Sequence, residues 1–144
     1  MVITKVTDTI YLGDWQDARD LITRNYILFD IRTKMIIMTC AFDSPYHGNY
    51  FFPIVDGPGD DKAGISKEAS YQSFLDAVNK LKELQTANIP TLVHCMSGRS
   101  RSVSVVVKYL MQYKGLNYDS AVYMITSQGR EIGINQYFQE VLKQ

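Results

Sequence analysis

The chain has 144 residues, 46% of them hydrophobic, and its 15 lysines and arginines balance 15 aspartates and glutamates. That is the size of one ordinary domain, able to bury a core without disulfides or metal, and its neutrality excludes binding driven by a whole-surface field, such as non-specific nucleic-acid binding. Two cysteines, Cys40 and Cys95, make no disulfide framework and point to a reducing, cytoplasmic setting. The N-terminal segment lacks the basic stretch and apolar core of a signal peptide, and no apolar run is long enough to span a bilayer, so no membrane insertion is expected.

No repeat, low-complexity tract or linker divides the chain, so residues 1–144 read as a single domain. Residues 3–6 and 9–12 have the alternation of short strands, with Asp8 as a turn residue between them. Asp14 suits the N-cap of a helix carrying Trp15, Ala18, Leu21 and Ile22 at helical spacing. Residues 27–29, 36–38 and 50–55 are strand-type apolar runs, with Pro53 marking an edge or exit bend in the last. The aromatic-rich run from Tyr46 to Phe52 reads mainly as buried strand, with a pocket wall as the second reading.

The segment DGPGDDKAG, residues 56–64, carries only loop signals. Ser66 caps a long amphipathic helix with Tyr71, Phe74, Leu75, Val78 and Leu81 on its apolar face. Thr91-Leu92-Val93 is a buried-type strand leading into His94-Cys95, and a mostly apolar helix runs from Ser102 to Tyr113 with Gly115 at its C-cap. Asn117 and Asn135 open two further helices. Strands alternating with helices define an α/β domain with a central sheet covered by helices.

The chemistry is concentrated in residues 93–102, VHCMSGRSRS. A cysteine at a strand end, a glycine-containing turn and an arginine at a helix start make a cradle of backbone N–H groups reinforced by the positive helix terminus. Cys95, Met96, Ser97, Gly98, Arg99, Ser100 and Arg101 are thus the expected phosphate-binding loop, with Arg101 adding a bidentate, charge-assisted pair. Helix termini and arginines favour thiolates, so one field both holds the phosphate and arms Cys95. Ser102 is placed to donate a hydrogen bond to that sulfur, and His94 to hold the loop. Gly98 suits close approach of backbone to ligand. A metal site is disfavoured, because His94 and Cys95 are adjacent and no spaced cluster accompanies them. No cofactor is expected.

The pattern H-C-x-x-G-x-x-R-S resembles the signature of the dual-specificity branch of the protein tyrosine phosphatase superfamily. Similarity extends to Thr9-Ile10-Tyr11-Leu12-Gly13, to Tyr109-Leu110-Met111, and to Arg130-Glu131-Ile132-Gly133 with Asn135 and Phe138. The resemblance implies a protein tyrosine phosphatase-like fold with four to five mixed strands flanked by helices. It implies metal-independent hydrolysis of phosphoprotein substrates through a cysteinyl-phosphate intermediate, with Asn135 in a supporting role. It also calls for an aspartic acid that protonates the leaving oxygen. The strand ending at Val55 makes that residue Asp56; counting back from Cys95 favours Asp61, and Asp60 is a third choice. All three also suit plain turn positions.

Cys40 reads first as a buried small hydrophobe. Its position also resembles a second cysteine in the superfamily's inositol-lipid phosphatases, which implies a reversible disulfide with Cys95. Arg99 is either a solvated charge or a second cation toward substrate, and the G-R-S-R-S loop resembles that of phosphatidylglycerophosphate phosphatases. The alternatives to a protein phosphatase are therefore a phosphatase for phospholipid, RNA 5′-end or small-molecule phosphates, or a phosphate-binding domain without turnover. A rhodanese-like sulfur transferase ranks below these, having no need of the Arg101-Ser102 pair. The oligomeric state is open, with a monomer the simplest expectation.

Overall fold

The computed structural model describes residues 3–24 and 35–144. The expected strand at residues 27–29 lies outside the described residues. The elements run β1 (Thr4–Lys5), β2 (Ile10–Gly13), α1 (Trp15–Arg24), β3 (Ile36–Thr39), β4 (Tyr50–Phe51), α2 (Lys67–Thr86), β5 (Thr91–His94), α3 (Arg101–Lys114), α4 (Tyr118–Thr126) and α5 (Gln136–Lys143). The strands form a sheet in the order β1-β2-β5-β3-β4, antiparallel at the β1–β2 edge and parallel elsewhere.

Strand β5 is central because all four of its residues are buried, as both faces of a parallel sheet must be. Successive side chains point to opposite faces. Leu92 and Ile37 accordingly meet Ala18 and Leu21 of α1, while Val93 and Met38 belong to the larger core shared with α2 to α5. Helix α3 is buried along most of its length, with Val103, Val105, Val106, Val107 and Leu110 almost wholly enclosed. At roughly 1.5–3 kcal/mol per buried aliphatic side chain, this row anchors α3, and with it the loop that precedes it.

The helix signals act as the sequence implies. Asp14 Oδ1 accepts from the Asp17 amide and Asp17 Oδ2 accepts from the Asp14 amide, a reciprocal cap on α1. Ser66, Asn117 and Asn135 each accept an amide three residues on, and Gly115 closes α3 in the left-handed conformation.

Two expectations need correction. The strand expected over residues 50–55 stops after Phe51. Pro53 has no N–H to extend the ladder, the Ile54 amide turns back to the Phe52 carbonyl, and the Ile54 carbonyl is taken by Arg101. The 46–52 run is also not a core strand: Tyr46, Tyr50 and Phe52 are half-buried and Phe51 is exposed, because this stretch leads into β4 at the sheet edge.

Candidate active site

In an open parallel sheet, ligands collect at the carboxyl ends of the strands. There β5 delivers His94 and Cys95, and the chain turns through residues 96–100 into α3. Cys95 is only 1% exposed, and its Sγ lies 3.2 Å from Ser102 Oγ. Ser100 precedes α3 but gives its amides no side-chain cap; its hydroxyl instead accepts from the Asn135 backbone N–H at 3.0 Å. The first amides of α3 are thereby left to an anion placed before the helix.

The loop is shaped from several directions. Gly98 has φ of 70°, and a Cβ there would overlap the Arg130 guanidinium and the Gly13 carbonyl, so this position requires glycine. Arg130, itself buried, donates from Nε to the Gly98 carbonyl at 3.0 Å and from Nη1 to Thr4 Oγ1 at 3.3 Å. The Gly133 amide donates to the Arg99 carbonyl at 2.8 Å, and the Trp15 amide to the Met96 carbonyl at 3.2 Å.

His94 occupies the position expected of a loop-holding residue. Its Nε2 lies 2.7 Å from Thr39 Oγ1 and its Nδ1 lies 3.1 Å from the Cys95 carbonyl. Burial lowers its pKa to about 4, only partly opposed by the bond to Cys95, so the ring is neutral at physiological pH.

Arg101 Nη1 donates to Asp43 Oδ1 at 2.8 Å and to the Ile54 carbonyl at 3.1 Å. The Arg101 side chain is 7% exposed while that of Asp43 is 42% exposed, so the carboxylate meets a buried guanidinium from the solvent side. Sequence reasoning missed Asp43. Its only signal was an acidic residue just past a buried strand, in a run, F-D-S-P, that reads as a turn.

The three candidate acids are separated by their surroundings. Asp56 Oδ1 accepts from Asn135 Nδ2 at 2.5 Å, and the same Nδ2 is 3.3 Å from Ser100 Oγ, which ties Asp56 to the phosphate loop through one amide. Asp60 Oδ1 instead accepts from the Ala63 amide within a tight turn, where Asp60 also bridges Ile65. The Asp61 backbone carbonyl accepts from the Gly64 amide in that turn. Arg99 is exposed, with its guanidinium close to Gly133.

Cys40 is fully enclosed and its thiol is free, as is that of Cys95. Burial pushes the Cys40 thiol well above its ordinary range; the Cys95 charge adds to that and Arg101 opposes it. Behind the site, Asp17, in contact with Asp14 and near Arg130, is raised from 3.8 to about 6, chiefly by burial. Among the described residues, no group of three or more His, Cys, Asp or Glu side chains is placed to hold a metal, and no helix is long and apolar enough to cross a membrane.

A cysteine at the end of a central parallel strand, backed by a hydroxyl and followed by a buried arginine at a helix start, defines a cysteine-dependent phosphatase. The family model for the dual specificity phosphatase catalytic domain matches residues 10–144, and the chain belongs to that family of protein phosphatases. It is 41% identical over 142 residues to the Amsacta moorei entomopoxvirus protein AMV078, covering 96% of this chain and 82% of that one. It is 30% identical over 125 residues to the probable dual specificity protein phosphatase H1 homolog of fowlpox virus, covering 85% and 68% of the two chains. Dual specificity protein phosphatase 22-A of Danio rerio is 27% identical over 144 residues, and the chain spans 64% of its length. Among solved structures the fold matches human DUSP28, with a TM-score of 0.70 at 21% identity over 98% of this chain and 90% of that one. It also matches DUSP15, with a TM-score of 0.72 at 24% identity over 98% and 85%.

Proposed function

We propose that the chain hydrolyses phosphate monoesters on protein tyrosine, serine and threonine side chains, with Cys95 as nucleophile and Asp56 as general acid. The observations that carry this reading are Cys95 Sγ against Ser102 and Asp56 against Asn135, whose amide also reaches Ser100 of the loop that follows Cys95. The substrate phosphate sits over the loop amides of residues 96–101, with Arg101 bonding two of its oxygens. Cys95 Sγ attacks phosphorus as the bond to the ester oxygen breaks, and Asp56 gives that oxygen its proton. Water then attacks the thiophosphate ester and loses a proton to the Asp56 carboxylate; the sulfur leaves with the bonding pair and phosphate is released. Ser102 donates to the departing thiolate. His94, neutral and bonded to Thr39, takes no part in proton transfer, and Asn135 and Asp43 orient Asp56 and Arg101.

The test compares an aryl phosphate with a phosphoserine peptide across variants. Cys95→Ser is expected to abolish turnover of both. Asp56→Ala should cost about 100- to 10,000-fold on the peptide, whose alkoxide needs a proton, and much less on the aryl phosphate. Full activity in Asp56→Ala with loss in Asp61→Ala would reassign the acid. Turnover of a phospholipid or an RNA 5′-phosphate in preference to both peptide and aryl substrate would change the substrate class, and binding without turnover would make the chain a phosphate-reading module. A cytoplasmic location and a monomeric state belong to the same reading, the first supported by the two unpaired thiols.

A further inference from the structure

Two aromatic rings meet between the segments that follow β2 and β3, the strands on either side of β5. Trp15 opens α1, yet that helix buries Ala18 and Leu21 and leaves the indole half-exposed. The indole lies parallel to the half-buried Tyr46 ring, with centroids 6.0 Å apart and 8° between planes. Tyr46 comes from the β3–β4 connection, so the pair spans from the strand on one side of β5 to the strand on the other.

The backbone under each ring is tied to the residues that flank the nucleophile, directly for Trp15 and through Thr39 for Tyr46. The Trp15 amide donates to the Met96 carbonyl at 3.2 Å. The Tyr46 carbonyl accepts from Ser44 Oγ at 2.9 Å and from Thr39 Oγ1 at 3.3 Å, and Thr39 Oγ1 is the partner of His94 Nε2. The Arg19 guanidinium carbon stands 5.3 Å from the indole centroid, which further restricts the ring. In front of Trp15 opens a depression of about 460 Å³, lined by Asp14, Trp15, Gln16, Met96, Ser97 and Arg99. Three of its walls, Met96, Ser97 and Arg99, belong to the phosphate loop itself.

We propose that Trp15, braced by Tyr46, is a specificity-determining residue that contacts the phenyl ring of a phosphotyrosine and favours it over phosphothreonine. The proposal rests on the reading of Cys95 as the nucleophile of a protein phosphatase. A phosphotyrosine holds its backbone a whole ring farther from phosphorus than phosphothreonine does. With the phosphate seated on the loop, that ring extends farther out from it than a threonine methyl does, and the depression that Trp15 shares with Met96, Ser97 and Arg99 offers it a wall. Aromatic pairs add attraction beyond the area they bury, and the gain here corresponds to about a five- to tenfold preference.

Two measurements test this. The first takes kcat/KM on two peptides of one sequence, carrying phosphotyrosine or phosphothreonine at the same position. Trp15→Ala is expected to lower the tyrosine-to-threonine ratio about tenfold, mainly through KM for the tyrosine peptide, and Trp15→Phe to restore most of it. Trp15→Leu fills the space without a π face and should behave like Trp15→Ala, which separates ring contact from loss of packing. Equal losses on both peptides, or an unchanged ratio, overturn the proposal while leaving the phosphatase reading intact. Failure of the unmodified chain to turn over either peptide overturns that reading and this one with it. The second measurement uses the fact that Trp15 is the only tryptophan in the chain. In Cys95→Ser, saturating phosphotyrosine peptide should change the tryptophan emission and saturating phosphothreonine peptide should not; equal responses count against a ring contact.

Discussion

The loop of residues 95–100 and the loop of residues 56–64 are joined through Asn135 and are built in opposite ways. The first is gripped along its length: Trp15 holds Met96, Arg130 holds Gly98, Gly133 holds Arg99 and Asn135 holds Ser100. The second has one side-chain tie to the phosphate loop, from Asp56 to Asn135, and otherwise folds on itself through Asp60, Ala63 and Ile65. Nucleophilic attack on phosphorus requires fixed geometry at the cradle, because its dipoles must already point at the developing charge. In the proposed mechanism, proton delivery by Asp56 has to serve leaving groups of different length, and a side chain on a single tether tolerates that.

Gly98→Ala attacks the rigid loop where it has no slack, forcing a Cβ onto Arg130 and Gly13 from a φ of 70°. It should cost about 3 kcal/mol or more of stability in urea unfolding and lower turnover of every substrate alike.

Next in size is a pH effect arising behind the rigid loop. His94 has its pKa depressed to about 4, so its contribution is present above 6.5 and lost as pH falls toward 4. Asp17 is raised to about 6, so its contribution is present below 3.8 and lost as pH rises through 6. The His94 shift is worth about 3 kcal/mol and the more solvent-screened Asp17 shift less, with opposite slopes between pH 4 and 6. In the unmodified chain these two contributions therefore partly offset each other across that window. Asp17→Asn, which keeps an oxygen for the α1 cap, should lose up to about 3 kcal/mol on acidification from pH 6.5 to 4.

Asn135→Ala cuts the shared tie between the two loops and removes the α5 cap. A stability loss of about 1 kcal/mol is expected, with a larger fall in kcat for a phosphoserine peptide than for an aryl phosphate. Similar falls for both would show that Asn135 serves the rigid loop rather than the acid. The smallest effect is expected of Asp43→Asn, which keeps a hydrogen bond to Arg101 but drops the charge at a partly exposed pair. It should raise KM a fewfold and move stability by under about 1 kcal/mol.

The sequence made the cysteine loop legible because its geometry is local: strand, turn and helix start lie within ten residues, and each residue type answers a constraint imposed by its neighbours. The caps Ser66, Asn117, Asn135 and Gly115 were legible for the same reason. Asp43, Trp15 and Tyr46 were not, since their meeting depends on strand order. Only when β2 and β3 flank β5 do residues 14–15, 43–46 and 94–101 come together, and no periodicity within any one segment encodes that adjacency. The short β4 was misread as a longer strand because Pro53 marked the bend, while the partner that fixes it, Arg101 on the Ile54 carbonyl, lies 47 positions away.

Three successive loop residues, Gly98, Arg99 and Ser100, take their hydrogen bonds from Arg130, Gly133 and Asn135. The floor beneath the reactive sulfur is thus laid by a stretch of chain translated well after it. A nascent polypeptide halted between α3 and α4 would carry the whole signature motif and all five described strands of the sheet without a formed cradle. Competence for catalysis would arrive late in synthesis, when residues 130–135 dock.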